Sequence, residues 1–260
     1  MAAADLDFAL VEFRDRTKQI REIMALVEAA GRTPTALTTP RAGIDLSQVS
    51  VSTSNTANSM ALIFLASAFE EFVREEAIQC GNYLMDKYPA MPAGNKNMIR
   101  DSYWVVSRDR LKFMKSILVS SAPDPARIGK VGALLGSLKS FVVDDDASRL
   151  DSQTFAHHSN NFRPAIVVEI FRRFAVKDLP GQLGENVRLK SYFGVSTKAQ
   201  CSQMLASKWD EFYDRRNETV HSLGGASGLA VDAVSSYVEF MELIAEALKG
   251  VLVKTLASWP

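Results

Sequence analysis

The residues best able to do chemistry lie in the segment Arg216-Asn217-Glu218-Thr219-Val220-His221. Arginine is permanently charged, and its planar guanidinium group can bind two phosphate oxygens at once. Histidine is the side chain that exchanges protons near neutral pH without help from its surroundings. Together, Arg216 and His221 could bind a phosphodiester and move its protons.

The spacing of the two residues sets a condition on such a site. Five positions along a continuous α-helix separate two side chains by about 140° around the axis, so Arg216 and His221 would not share a face. Either the helix ends or loosens before His221, which Gly224 and Gly225 make plausible, or a second chain completes the site. In the alternative interpretation, Arg216 is a solvated helix residue and His221 caps the helix C-terminus, where the dipole favours it.

An acidic residue upstream could act on the same arginine. Glu70 follows the apolar Phe69 and precedes Glu71. It could turn inward and pair with Arg216, or it could stay on a solvated face and pair with Arg74 at a spacing of four residues.

Two further clusters could contact nucleic acid. His157 and His158 could bind metal or RNA, although adjacent side chains rarely converge on one ion, and a solvated loop explains them as well. Arginines and lysines beside aromatic residues could form an RNA-facing wall, or could be solvated helix faces; these are Arg215, Arg172 and Arg173, with Arg108, Arg110, Lys112 and Lys115.

Composition excludes several classes of protein. Lys and Arg together number 30, as do Asp and Glu, so the net charge of zero argues against coating nucleic acid by bulk positive charge. Cys80 and Cys201 follow no metal or redox spacing, which predicts reduced thiols in a cytoplasmic protein. No apolar run approaches the ~20 residues of a membrane span. Because hydrolase triads and the H-E-x-x-H and C-x-x-C motifs are absent, we expect no metal and no cofactor.

The 47% hydrophobic content and the apolar periodicity predict an all-α, up-and-down helical bundle of about four long helices with shorter inserted helices. Residues 33–58, with a short extended piece at 48–52, and residues 179–197 are predicted to be mostly loop. We expect one domain over residues 1–260, with a core at about 58–252 and the helix at 5–30 packed on it. The predicted long helices are 5–30, 58–88, 198–221 and 229–256, and further helices are predicted at 98–119, 127–141 and 165–174.

The segment from Arg216 to His221 resembles the R-x4–6-H motif of the HEPN superfamily, an all-helical group, in its form R-N-x-x-x-H. Its placement is similar too, since a glycine-containing turn and an amphipathic C-terminal helix follow. Upstream, Leu65-Ala66-Ser67-Ala68-Phe69-Glu70-Glu71-Phe72-Val73-Arg74-Glu75 resembles the aromatic and acidic helix of the RiboL-PSP-like branches. The resemblance spans about residues 58–252.

This resemblance implies a metal-independent endoribonuclease, often a toxin or an anti-phage defence effector. It implies a composite site at a homodimer interface in which Arg216 holds the phosphate, His221 is the acid or base, and Asn217 orients His221 or contacts RNA. An antitoxin or partner protein is also expected. The alternative is a non-catalytic helical module that binds RNA, nucleotide or protein. Leu223 stands where family members controlled by nucleotide transfer have tyrosine, which argues against that form of control.

Overall fold

The computed structural model describes residues 5–32, 50–118, 124–221 and 229–260. Within these ranges the regular structure is entirely helical, which confirms the predicted all-α bundle. No helix in the described ranges has the length and apolar character needed to cross a membrane.

The described residues form nine α-helices joined by short turns. A π-helical turn at Lys139–Val143 follows α4, and 3-10 turns lie at Tyr88–Ala90, Ala147–Arg149 and Ser152–Thr154. The helices are α1 (Leu6–Arg32), α2 (Val51–Lys87), α3 (Ala93–Leu118), α4 (Pro125–Leu138), α5 (Pro164–Arg172), α6 (Leu179–Gly184), α7 (Val187–Phe193), α8 (Lys198–His221) and α9 (Val231–Ala257).

The prediction that residues 33–58 form a loop is wrong for its last part, because α2 already begins at Val51. The Ser50 hydroxyl accepts a hydrogen bond from the Thr53 backbone N–H at 3.2 Å, as an N-capping side chain does. The extended piece predicted at 48–52 is therefore helical at its last two residues, and positions 48 and 49 lie outside the described residues.

The loop predicted at 179–197 instead contains α6 and α7. The Asn186 side chain accepts from the backbone N–H groups of Arg188 and Leu189 and so caps α7. Gly194 ends α7 in the left-handed conformation at a φ of 65°. Gly184 ends α6 where a Cβ would lie 2.7 Å from the Lys198 carbonyl oxygen. Gly184 and Gly194 therefore mark the ends of two short helices.

The chain divides into two compact units, and the division falls inside α1, α2, α6 and α9. The unit that contains the Arg216–His221 segment comprises residues 10–72 and 184–247, and we call it the motif unit. The other comprises residues 1–9, 73–183 and 248–260, and we call it the pocket unit. The prediction of one domain over residues 1–260 stays a prediction.

Aromatic side chains hold the motif unit together. Phe13 of α1 packs on Phe69 and Phe72 of α2, with ring centroids 5.9 and 5.5 Å apart. Phe69 also meets Trp209 of α8 edge to face at 5.4 Å. Edge-to-face pairs of this kind add roughly 0.5–1.5 kcal/mol beyond area burial. The contacts fix α8 against α2 and α1.

Ion pairs join α1 to α9 in the same unit. Arg21 forms a bidentate pair with Glu242 at 2.6 and 2.7 Å, and Arg14 pairs with Glu246. The residue numbers rise on α1 while they fall on α9, so the two helices are antiparallel. This is the up-and-down arrangement that the apolar periodicity predicts.

The pocket unit is built around a chain of buried rings. Tyr88 packs on Phe141 at 4.9 Å, Phe141 on Tyr103 at 5.1 Å, and Tyr103 on Phe155 at 5.1 Å. Phe174 completes the chain at 4.6 Å from Phe155. All five side chains are at most 1% exposed. The rings anchor the irregular segment around Phe155 to the helices on either side.

Candidate functional site

Helix α8 remains helical to its last residue, His221. The helix therefore does not end or loosen between Arg216 and His221, which was the first of the two conditions for a shared site. Their Cα atoms are about 9 Å apart on such a helix, and the side chains leave it about 140° apart. One chain alone does not bring both side chains to one ligand from this helix.

Arg216 lies on the face of α8 that points into the motif unit. Trp209 lies two turns before Arg216 on the same face of the helix. The buried Leu205 and Phe212 belong to the same stripe of side chains. The Arg216 side chain is half-buried and its Nε atom has less than 1 Å² of exposed surface. One guanidinium nitrogen donates to the side-chain oxygen of Asn217 at 3.2 Å. The Arg216 side chain is thus partly buried in the core and partly exposed to solvent.

His221 lies on the opposite, solvent-facing side of α8 and is exposed. It follows Gln203 by 18 positions, which is five full helical turns, so the two residues share a face. The C-terminal cap interpretation is compatible with its place in the last turn. Leu223, Gly224 and Gly225 lie outside the described residues.

Glu70 is half-buried on α2, and its Oε1 atom has less than 1 Å² of exposed surface. Its neighbour Phe69 packs on Trp209, which lies on the same side of α8 as Arg216. The inward orientation of Glu70 agrees with the structure, and the pairing of Glu70 with Arg216 stays a prediction.

A groove on the exposed side of α8 was not predicted from the sequence. It has a volume of about 680 Å³, and we call it the α8 groove. Lys208 is held at its side, with Nζ 5.1 Å from the Tyr192 ring centroid and 3.1 Å from the Ser236 hydroxyl. The groove is lined by Tyr192, Phe193, Val195, Gln200, Gln203, Met204, Ser207, Lys208 and Glu211. Because Gln203 shares its face with His221, the groove and His221 lie on one side of the helix.

Arg215 lies at the surface of the same helix. Its side chain is 47% exposed and pairs with Glu218, one turn ahead, at 3.2 Å. Exposed pairs of this kind contribute at most about 1 kcal/mol, so the guanidinium group is readily available to a ligand. Its predicted contact with RNA stays a prediction.

The pocket unit brings together candidate residues from three separate parts of the sequence. A cavity of about 280 Å³, which we call the His pocket, contains both neighbouring histidines and residues of α3 and α5. Its lining consists of Val105, Val106, Asp109, Lys112, His157, His158, Ser159, Glu169 and Arg173. Sequence spacing does not reveal this contact, because His157 lies 39 positions beyond Leu118, the last residue of α3.

Arg173 has a structural position in this pocket. It is 4% exposed, and its guanidinium group donates to the carbonyl oxygens of Phe155 and His157 at 2.6 and 2.9 Å and to Glu169 at 2.8 Å. These hydrogen bonds hold the irregular segment that contains His157 and His158 against α5. This structural position of Arg173 argues against its predicted contact with RNA. Arg172 is exposed, and its predicted contact with RNA stays a prediction.

The hydrogen bonds of His158 fix its tautomer when the ring is neutral. Its Nδ1 atom accepts the backbone N–H of Asn160 at 3.1 Å, so the ring proton lies on Nε2. Nε2 is 3.5 Å from a carboxylate oxygen of Glu169. Both ring nitrogens of His158 are therefore directed at groups of the chain.

His157 is held in its neutral form. Burial lowers its pKa to about 4, and the charges of Arg110, Arg173 and His158 act in the same direction, against a smaller opposite effect of Asp109. At neutral pH this imidazole can donate one hydrogen bond and accept one.

The remaining candidates for metal or redox chemistry are separate from these groups. Within the described ranges, no three His, Cys, Asp or Glu side chains converge in an arrangement that could hold a metal ion. Cys80 and Cys201 are buried free thiols. Burial and the nearby Glu76 raise the pKa of Cys80, so this thiol is a weak nucleophile.

Comparison with known proteins adds no relative. No protein-family model, curated protein or solved structure matches this chain. The resemblance to the HEPN superfamily therefore rests on the quoted residues and on the position of Arg216 and His221 at the end of the helix before the last.

Proposed function

We propose that the protein is a metal-independent endoribonuclease of HEPN type that uses Arg216 and His221 from different copies of the chain. The observation behind the proposal is that α8 is continuous to His221, which directs His221 to solvent and Arg216 to the other side. In a two-fold symmetric dimer, His221 of each copy can lie beside Arg216 of the other copy, which makes two equivalent sites.

The chemistry needs no metal. The RNA 2′-OH attacks the adjacent phosphorus while His221 accepts its proton, the P–O5′ bond breaks, and the leaving 5′-oxygen takes up a proton from water. The products are a cyclic phosphate and a free 5′-OH. Arg216 of the second copy stabilises the negative charge that develops on the phosphoryl oxygens. Asn217, hydrogen-bonded to Arg216, holds the guanidinium group in position.

The α8 groove supports RNA as the substrate. Phe193, which meets Tyr192 edge to face at 5.1 Å, is half-buried at its wall and offers aromatic surface on which an unpaired base can stack. Gln200 and Gln203 offer amide groups that can hydrogen-bond to base edges. Stacking and polar groups of this kind suit single-stranded RNA, which is the form that 2′-OH attack requires.

In this proposal the chain acts in the cytoplasm as a toxin or defence effector that an antitoxin or partner protein restrains. Expression of the wild-type chain is expected to arrest cell growth, and His221→Ala is expected to relieve the arrest. Equal growth with both chains would contradict a toxic role.

The direct test is RNA cleavage in the presence of EDTA. Loss of a general acid or base lowers rates by roughly 10²- to 10⁴-fold, and loss of a group that stabilises transition-state charge lowers them by roughly 10²- to 10³-fold. The cleavage rates of His221→Ala and Arg216→Ala are therefore expected to fall by at least about 10²-fold. The matched control is Arg127→Ala, which removes an exposed arginine of α4 that belongs to none of the candidate sites, and is expected to retain most activity. Equal activity in wild type, His221→Ala and Arg216→Ala would refute the mechanism.

A non-catalytic module that binds RNA or nucleotide is the second candidate. The observation that favours it is the core-facing position of Arg216, whose Nε atom is buried. In that case wild type binds a single-stranded oligonucleotide without cleaving it, and Arg216→Ala lowers the stability of the fold rather than a reaction rate.

A further inference from the structure

The His pocket has the features of a ligand site that the proposed nuclease chemistry does not use. It is concave, it contains two of the three histidines of the chain, and it lies in the pocket unit rather than in the motif unit. Pockets with converging polar groups and a perturbed pKa are the usual places for ligands.

The charges around the pocket favour an anion. Asp109 is shared by two cations, Lys112 at 3.0 Å and Arg108 at 3.6 Å. Glu169 is likewise shared by Arg173 at 2.8 Å and His158 at 3.5 Å. Three fixed cations, Arg108, Lys112 and Arg173, therefore accompany two carboxylates around the pocket, which leaves an excess of one positive charge among these groups.

The donors that reach the cavity come from two directions. Lys112 projects from α3 with a side chain that is 67% exposed, so its ammonium group can leave Asp109 for a ligand at little cost. Ser159 and His157 lie on the irregular segment on the other side of the cavity, and the buried Arg173 fixes the carbonyl group of His157. A tetrahedral phosphate presents oxygens in both directions.

We propose that the His pocket binds a phosphate ester, with Lys112, Ser159 and His157 as its donors. The volume of about 280 Å³ admits one phosphate group with part of the ester attached to it. The phosphate comes either from an RNA backbone or from a free nucleotide. Binding at this pocket does not depend on cleavage at α8.

Binding of the phosphate ester is expected to be coupled to the uptake of a proton by His157. An anion beside His157 offsets the effect of Arg110 and Arg173 and raises the pKa of the ring above its value of about 4 in the free protein. Asp109 on α3 and Glu169 on α5 act in the same direction as the ligand. The affinity is therefore expected to rise as the pH falls through the pKa of the bound state, by up to about tenfold per pH unit.

The test is calorimetric titration of the full chain with four probes at equal ionic strength: inorganic phosphate, AMP, an RNA dinucleotide and acetate. We expect phosphate-containing probes to bind and acetate to bind at least tenfold more weakly. Lys112→Ala and His157→Ala are expected to lower the affinity about tenfold or more, because each removes a donor to a charged group. Lys130→Ala is the matched control, since it removes an exposed lysine of α4 in the pocket unit that does not line the pocket, and is expected to bind like wild type.

The probes distinguish the two sources of phosphate. Tighter binding of the dinucleotide than of AMP indicates an RNA backbone, and the reverse indicates a free nucleotide. Titration with the dinucleotide, a diester of constant charge, from about pH 8 to pH 5 tests the coupling, and His157→Gln is expected to remove the pH dependence. The proposal is overturned if no phosphate probe binds, if acetate binds as tightly, or if Lys130→Ala weakens binding as much as Lys112→Ala.

Discussion

Replacing Glu76 by glutamine is expected to remove a strong pH dependence from the stability of the fold. Glu76 lies on α2 in the pocket unit and is 0% exposed. Neither of its carboxyl oxygens has a hydrogen-bond partner among the described residues. Burial raises its pKa to about 9, against a smaller lowering effect of Lys249, while Glu75, Asp7 and Asp5 raise it further.

The sign follows from proton binding in the two states. An unfolded chain releases the Glu76 proton near pH 4.5, whereas the folded chain keeps it to about pH 9. The stabilisation from this proton is therefore complete below about pH 4.5 and is lost as the pH rises toward 9. Between pH 5 and pH 8 the free energy of unfolding is expected to fall by about 4 kcal/mol on account of this one group, at about 1.4 kcal/mol per pH unit.

The measurement is urea unfolding of wild type and Glu76→Gln at several pH values from 5 to 8, followed by circular dichroism. As the pH rises from 5 to 8, the free energy of unfolding of Glu76→Gln is expected to increase relative to that of wild type by about 4 kcal/mol. Glu75→Gln is the matched control, because it removes the adjacent carboxylate, which is only half-buried, and is expected to follow wild type. A difference that stays constant within about 1 kcal/mol would refute the assignment of a protonated, buried Glu76.

Three other predictions concern single contacts. Arg173→Ala is expected to destabilise the fold by about 3–5 kcal/mol in urea unfolding, because Glu169 and the carbonyl group of Phe155 lose a buried cation as their partner. The control Arg172→Ala removes an exposed arginine and is expected to change stability by less than about 0.5 kcal/mol. Similar values for the two variants would contradict the structural role of Arg173. A double-mutant cycle with Glu70→Gln and Arg216→Ala is expected to give a coupling of about 0.5–3 kcal/mol, and additive effects would exclude the pair. Asn186→Ala is expected to cost about 1 kcal/mol through loss of the α7 cap, and an unchanged urea midpoint would contradict it.

The long helices were predictable because each buries a continuous apolar stripe. Helix α8 has the predicted bounds, 198–221, and α1 and α9 lie within two residues of theirs. The segments at 51–57 and 179–197 were not predictable in the same way. Their helices are too short or too polar for a stripe, and they depend on caps such as Ser50 and Asn186 that also occur in loops.

The candidate site was predictable only in part, for a physical reason. The spacing of Arg216 and His221 showed that one helix cannot present both to one ligand, and α8 bears this out. The burial of Arg173 and the meeting of α3 with His157 depend on contacts between residues far apart in sequence. No local periodicity encodes such contacts, so charged residues that looked alike in the sequence, such as Arg172 and Arg173, have opposite environments.

The most direct test of the central claim is activity of a mixed dimer. Arg216→Ala and His221→Ala chains are co-expressed with different affinity tags, and the heterodimer is purified through both tags and assayed for RNA cleavage in EDTA. Each homodimer is expected to be inactive, while the heterodimer keeps one intact site of two and is expected to recover about half of the wild-type activity. A heterodimer as inactive as the two homodimers would contradict a site made from Arg216 of one copy and His221 of the other.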